Sequence, residues 1–503
     1  MRIILWHGWL LEGSGSNVYT ARVARILRSR GHDVVLMCQE GHPERYEWID
    51  AAGAVDGGGV AEPAPTGASP SSGRCVLLRP EIGALLPVFV LDDYEGFEVK
   101  RFVDLSDGEL AAYLDANVAA LRSAAAWHHS DVTIAGHAIP GGVIARRAVG
   151  PGRYVTKIHG SDLEYAVRPD RRYRELAREG LPAGRAVTGS GRDVLRRCSE
   201  LVPGIEHLLR VVPPGLDDAV FHPRSRRRAL VEVADRLAAD PDVSRGRPAR
   251  LDNEVRGALA ARDGRALDEL ATRYDQNVPD PAAAERLRAL AGYNGPVVGS
   301  FGKLIPQKGG HHLLAAVKGS RHRPHVLVVG FGSHREWLHA LTAAFELGDR
   351  DSLEWLASAM DLPEAAGDAA ESVRATFTGR LDHRYAPEVL AAMDVLAVPS
   401  ILDEAFGMVA AEGAASGALP LVARHSGLAE IAGALEAAVG RDGLFSFEPG
   451  SAAVVNLRAA LDRLLELPEE ERRDLRALVS ATARERWSWT ATVDGLLRAA
   501  TET

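Results

Sequence analysis

The chain has 503 residues, 46% of them hydrophobic and 25% charged, with a formal net charge of −9 and a pI near 6.0. That length supports two or three domains with sizeable cores, and the acidic balance excludes the basic surface expected of a nucleic-acid or anionic-membrane binder. Three scattered cysteines, Cys38, Cys75 and Cys198, have neither disulfide-framework nor metal-ligand spacing, so reduced thiols are expected.

The N-terminus, "MRIILWHGWL", begins as a strand, and no apolar run approaches the roughly 20 residues that span a bilayer, which predicts a cytoplasmic protein. Short apolar runs then alternate with amphipathic helices, the pattern of a parallel sheet in an α/β fold. In the first half the predicted strands are 2–8, 33–39, 85–91, 131–136, 154–160 and 185–190. The second half gives 296–302, 325–330, 375–379, 394–400 and 419–423. Each series suffices for one doubly wound, Rossmann-like sheet. Residues 53–74 are rich in Gly, Pro, Ala and Ser and predict a mobile loop, while "DDY" (92–94) reads as a turn. Residues 224–291 are helix-prone and charged, predicting an insertion of two or three helices whose opening "RSRRR" (224–228) is a solvated helix start.

In open parallel sheets ligands bind beyond the carboxyl ends of the strands. Three predicted strand ends carry unusual residues. "GKLIPQKGG" (302–310) places Gly302, Lys303 and Lys308 in a loop that opens a helix, a setting that suits a diphosphate. Only five residues of the chain are lysines, which favours this reading over two solvated loop lysines. "GFGSHREW" (330–337) offers a lone G-x-G at Gly330, which fits a tight turn almost as well as a phosphate contact. "TGRL" (378–381) supplies Arg380 and Leu381 near a planar base, again a weak signal alone.

The fourth strand end is "DEAFGMVAAEG" (403–413). Glu404 is predicted on the loop, with Phe406, Gly407 and Met408 opening the helix and Glu412 inside it. Gly407 lets the backbone approach a ligand, and a carboxylate such as Glu412 accepts from both hydroxyls of a ribose. A surface acid or a helix-dipole partner accounts for either glutamate singly, but poorly for the whole arrangement.

These residues resemble the retaining GT-B-fold glycosyltransferases of glycosyltransferase family 4. The likeness rests on "EAFGMVAAE" (404–412), "FGKLIPQKG" (301–309), "GRLDHRYAPEVLAAMDVLAVPS" (379–400), "VVPPGLDDAVFHP" (211–223) and "RERWSWTATV" (484–493). It is good from about 290 to 490, patchy before that, and leaves 224–291 outside. The family usually has arginine where Lys303 stands, so the bidentate fork is lost there. The resemblance implies two Rossmann-like domains facing a cleft. An acceptor-binding domain would span 1–215 plus the helix 487–503, and a donor-binding domain 292–486, with the helical insertion between them. It implies that the glycine-rich "LLEGSGSNVYT" (10–20) packs under the donor phosphate at Gly15 and borders the acceptor at Asn17, where Ser14 or Ser16 also suits a plain helix N-cap. It further implies that His137 lines the reaction centre with Glu404, and that His159 and Asp162 face the acceptor.

The activity so implied is transfer of a sugar from a UDP-, GDP- or ADP-sugar to a hydroxyl acceptor, with no metal, no cofactor, no nucleic acid and no transmembrane segment. A homo-oligomer is compatible with it. A catalytically silent nucleotide-sugar-binding protein and a nucleotide-sugar epimerase are the alternatives.

Overall fold

The computed structural model describes residues 1–90, 94, 96–362 and 372–502. The chain divides into two compact units: Met1–Gly215 completed by the chain from Trp487 onward, and Leu216–Arg486.

The first unit contains β1 (Arg2–Trp6), β2 (Asp33–Met37), β3 (Ala51–Asp56), β4 (Gly59–Val60), β5 (Ala64–Pro65), β6 (Arg74–Pro80), β7 (Leu85–Val88) and β8 (Glu98–Arg101). It continues with β9 (Val132–Gly136), β10 (Tyr154–Lys157), β11 (Ala186–Gly189) and β12 (Leu209–Val211). Its main sheet runs β12-β11-β10-β9-β1-β2-β6-β3-β4, with β5 paired to β3. All pairings are parallel except those of the short β4 and β5. β9, β10 and β11 are buried along their whole length, as strands of a parallel sheet covered on both faces must be. Strand order reverses between β1 and β9.

The first unit's core joins Ile3, Leu5, Val34, Leu36 and Ile134 of the sheet to Val23 and Leu27 of the helix Gly15–Ser29. Val493 and Leu496 of the last helix, Trp489–Thr501, complete it. The chain leaves this unit beside the point of its return: a Cβ on Gly215 would stand 2.4 Å from Trp489 Cα, and Thr492 Oγ1 donates to the Pro213 carbonyl at 2.9 Å.

The second unit contains β13 (Val297–Lys303), β14 (His325–Phe331), β15 (Ala375–Phe377), β16 (Val395–Val398), β17 (Leu419–Ala423) and β18 (Ser446–Phe447). Its all-parallel sheet runs β15-β14-β13-β16-β17-β18, so order reverses between β13 and β16.

Several sequence expectations are corrected. The stretch 53–74 is not simply a loop: β3 begins just before it and pairs in register with β6, because pairing needs only backbone amides and Val55 supplies a buried anchor. β6 itself was not expected, since arginines flank its apolar centre. The predicted strand 85–91 is shorter and pairs with β8 in a separate two-stranded sheet; Leu91 lies outside the described residues, as do Asp92 and Asp93 of the expected turn.

The stretch 224–291 forms four α-helices, Arg226–Ala238, Leu251–Ala261, Gly264–Leu270 and Ala283–Ala291, inside the second unit. Its opening arginines are not all solvated: Arg226 is ion-paired with Asp394, and Arg224 with Glu388 at 2.8 Å. Deeper in, Arg247 Nε meets Glu336 Oε1 at 2.8 Å with both side chains 0% exposed, and the Tyr274 hydroxyl donates to the same carboxylate at 2.8 Å.

A buried pair is weak evidence of stability as a whole, but removing one partner strands the other charge. Glu336→Ala is therefore expected to destabilise the second unit by about 3 kcal/mol or more in urea denaturation. A change below about 1 kcal/mol would show that the pair does not fasten the helical stretch to the helix Arg335–Leu347.

Candidate active site

In the second unit four neighbouring strand ends, those of β15, β14, β13 and β16, carry the residues singled out from sequence. β13 ends at Gly302 (φ +141°) and the exposed Lys303. A short 3-10 turn, Pro306–Lys308, leads into the helix Gly310–Lys318 through Gly309, which sits at φ +69°. A Cβ at Gly309 would stand 2.0 Å from the Pro399 carbonyl oxygen, so glycine lets this loop close onto the one after β16. The Ile401 amide donates across the junction to the Gln307 carbonyl at 2.7 Å.

At this reversal of strand order Lys308 Nζ forms an ion pair with Glu404. The Glu404 amide is held by Ser426 Oγ at 3.0 Å, and its carbonyl accepts from the Gly427 amide at 2.9 Å. Gly407 (φ +99°) is the N-cap and the helix runs Met408–Ala415, so Glu404 and Phe406 both lie on the loop rather than in the helix. Phe406 is buried. Glu412 lies within the helix, 92% buried, with His383 Nε2 at 3.8 Å.

The β14 end is equally tight: a Cβ on Gly330 (φ +155°) would meet the Gly302 carbonyl oxygen at 1.9 Å, and the Gly330 amide donates to Gly379 at 2.9 Å. Arg380 lies over the Phe331 ring at 5.1 Å, and Phe331 is registered with Lys303. Leu381 is buried in the core.

The first unit gathers a different chemistry at its own order reversal. His7 follows β1 and His137 follows β9, with ring centroids 6.1 Å apart, and His159 beyond β10 lies 4.5 Å from His137. Trp9 and Phe89 pack on His137 at 4.6 and 5.0 Å. His137 holds a left-handed φ of +70° and is 1% exposed, with no hydrogen-bond partner for Nδ1 among the described residues. Its position is fixed through Asp162, which accepts from the amides of Ala138 at 2.6 Å, Gly160 at 2.7 Å and His159 at 3.3 Å. The Asp162 carboxylate is thus committed to backbone. Gly15 opens its helix behind Ser14, which caps the Asn17 amide. Asn17 is also buried, receiving His7 Nε2–H at 2.9 Å and donating to the Glu12 carbonyl.

His7, Trp9, Phe89 and Lys157 join this cluster although sequence reasoning missed them; His7 is followed by a glycine at its strand end, as His159 is. Lys157 Nζ lies over the Tyr19 ring at 5.2 Å and donates to the Val212 carbonyl at 2.9 Å; burial lowers its pKa to about 7. Burial likewise pushes His7 and His137 down to about 3, and His159 well below the ordinary imidazole value. The three rings are therefore neutral at physiological pH and can exchange hydrogen bonds but not balance an anion. Among the described residues no group of three or more His, Cys, Asp or Glu side chains could hold a metal ion, and no helix is long and apolar enough to cross a membrane.

Comparison with known proteins gives this geometry a context. Residues 295–466 match the model of the family described as glycosyl transferases group 1. No curated protein sequence matches the chain. Among solved structures it is similar to sucrose-phosphate synthase from Thermosynechococcus elongatus, with a TM-score of 0.57 and 17% identity over 99% of this chain and 97% of that one. It is similar also to the Anabaena protein HepE in complex with UDP and glucose, with a TM-score of 0.56 and 15% identity over 99% of both chains. A UDP-forming α,α-trehalose-phosphate synthase from Burkholderia vietnamiensis gives a TM-score of 0.53 and 14% identity over 100% and 99%. The fold is GT-B.

The neutral histidines carry a consequence for pH. Their folded pKa values lie below the unfolded value near 6.5, so the unfolded chain binds more protons and stability falls as pH drops from about 6.5 toward 3. Urea unfolding between pH 4 and 8 is expected to show the first unit losing on the order of 1 kcal/mol per pH unit per histidine below about 6.5. A flat profile there would contradict the burial of these rings.

Proposed function

We propose that the protein is a retaining glycosyltransferase that moves a sugar from a nucleoside diphosphate sugar to a hydroxyl acceptor without a metal ion. The observation that carries this reading is the Lys308–Glu404 pair at the strand-order reversal of the second unit, beside the glycine-opened start of the helix Met408–Ala415. The group 1 match over residues 295–466 covers the same loops, and the UDP named for the HepE structure is the class of ligand they suit.

In this reading Lys303, Lys308 and the amides of that helix stabilise the negative charge that grows on the departing diphosphate. Gly302, Gly330 and Gly407 clear the backbone around it, and Glu412 accepts from the ribose hydroxyls. Glu404 orients the sugar and supports the oxocarbenium-like centre electrostatically; paired with Lys308, it is a poor covalent nucleophile. The bond from the anomeric carbon to the diphosphate oxygen breaks as the acceptor oxygen attaches to that carbon from the same face. The acceptor proton then passes to the departing phosphate, and configuration is retained. In the first unit His137 is the catalytic candidate, and His159 is on the acceptor side. Asn17 and Asp162, whose side chains already hold His7 and the strand-end loops, act by positioning. Gly15, at the helix start of the first unit, is assigned to the donor. The cytoplasm is the proposed location.

Glu404→Gln and Lys308→Ala are each expected to lower kcat on the cognate donor and acceptor by roughly 100- to 1,000-fold, with unchanged thermal midpoints. NMR of the product is expected to show the donor's anomeric configuration, and a chelator is expected to leave turnover unchanged. Full turnover in both variants would end the assignment.

A further inference from the structure

The helical stretch 224–291 does not merely ride on the second unit. Its last connecting segment is fastened to the carboxyl end of β15, the edge strand of the sheet. Pro279 and Gly379 form an antiparallel bridge, and the Asp280 amide donates to the Thr378 carbonyl at 2.8 Å. The Asp280 carboxylate, 1% exposed, pairs with Arg335 at 2.5 Å and Arg286 at 3.2 Å, and Arg286 also donates to the Phe377 carbonyl at 2.9 Å. A Cβ on Gly379 would stand 2.6 Å from Asp280 Oδ1, so the two segments are in direct contact.

Just before this seam, Asn277 is held by an Asx turn, its amide donating to Asp275 Oδ1 at 2.8 Å. Asp275 is in turn paired with Arg245 at 2.7 Å. From that fixed position Asn277 Oδ1 accepts from Arg380 Nη1 at 3.2 Å, while the guanidinium lies over the Phe331 ring at 5.1 Å. One edge and one face of Arg380 are thus spoken for, by the helical stretch and by the end of β14. A guanidinium so restrained presents its other N–H groups in a fixed plane at a strand end.

We infer that the helical stretch builds one wall of the nucleobase subsite, with Asn277 as a positioning residue that aims Arg380 at the base. This rests on the reading of these strand ends as a nucleotide-sugar donor site. The chemistry gives a direction. Guanidinium N–H groups pair with carbonyl acceptors, which uracil and guanine carry and adenine lacks. Arg380 therefore favours UDP or GDP over ADP, and Asn277 sustains that preference without touching the nucleotide.

The test is equilibrium binding of UDP, GDP and ADP to the full chain and its variants by calorimetry. The unsubstituted protein is expected to bind UDP or GDP roughly tenfold more tightly than ADP, as one charged hydrogen bond allows. Asn277→Ala is expected to narrow the ratio to about threefold or less by weakening the favoured nucleotide, without moving the thermal midpoint, since a neutral amide acceptor adds about this much. Asn277→Asp, which still holds the guanidinium, is expected to keep the ratio, and Arg380→Ala to abolish it. A ratio untouched in Asn277→Ala, or an unsubstituted protein that favours ADP, overturns the inference while leaving the donor site in place. Failure of the unsubstituted protein to bind any of the three overturns the donor-site reading beneath it.

Discussion

The candidate site of the second unit centres on one contact, between an ammonium on the loop after β13 and a carboxylate on the loop after β16. The loops of Lys308 and Glu404 are neighbours only because the sheet reverses its strand order between those two strands. With the side chains 34% and 20% exposed, the pair adds little to stability. Its surroundings are nonetheless closely built. Gly309 takes a left-handed conformation to clear the Pro399 carbonyl, Gln307 receives the Ile401 amide, and Ser426 fixes the glutamate's own backbone. Such preparation around two weakly stabilising charges makes sense where a ligand, rather than the fold, receives the benefit.

The first unit repeats the topology and inverts the chemistry. Its reversal point is lined by buried aromatic and imidazole rings, with Asp162 accepting from backbone amides after β9 and β10. Neutral rings can accept and donate without attracting counter-ions, which suits sorting of hydroxyl groups. In the proposed reading, the charged loops of the second unit would serve the anionic leaving group and the uncharged ones of the first the neutral acceptor.

Much of this was legible in the chain. Buried parallel strands are apolar runs, and strand-end residues such as Lys308 and Glu404 stand out by type and by the glycines that accompany them, whereas His137 came forward through the family resemblance. Where reading failed, the reasons are physical. β3 is carried by backbone pairing and lies in a Gly- and Ala-rich stretch, so side-chain pattern gave no sign of it. β12 and β18 are three and two residues long, too short for any period to register. The partners of Arg380 are brought together from Asn277 and Phe331, far apart in sequence, and no local rule joins them. His7 was overlooked although it stands at a strand end beside a glycine, as His159 does.

The seam between Gly215 and Trp489 bears on how the protein is made. Val493, Leu496, Ala499 and Ala500 belong to the same apolar cluster as Ile3 and Val34, so a core begun by β1 and β2 is closed by a helix that follows the whole second unit. Nascent chain up to residue 215 holds a sheet with an uncovered flank throughout synthesis of everything between. The first unit's core is therefore complete only once the helix Trp489–Thr501 has been made, after the whole of the second unit.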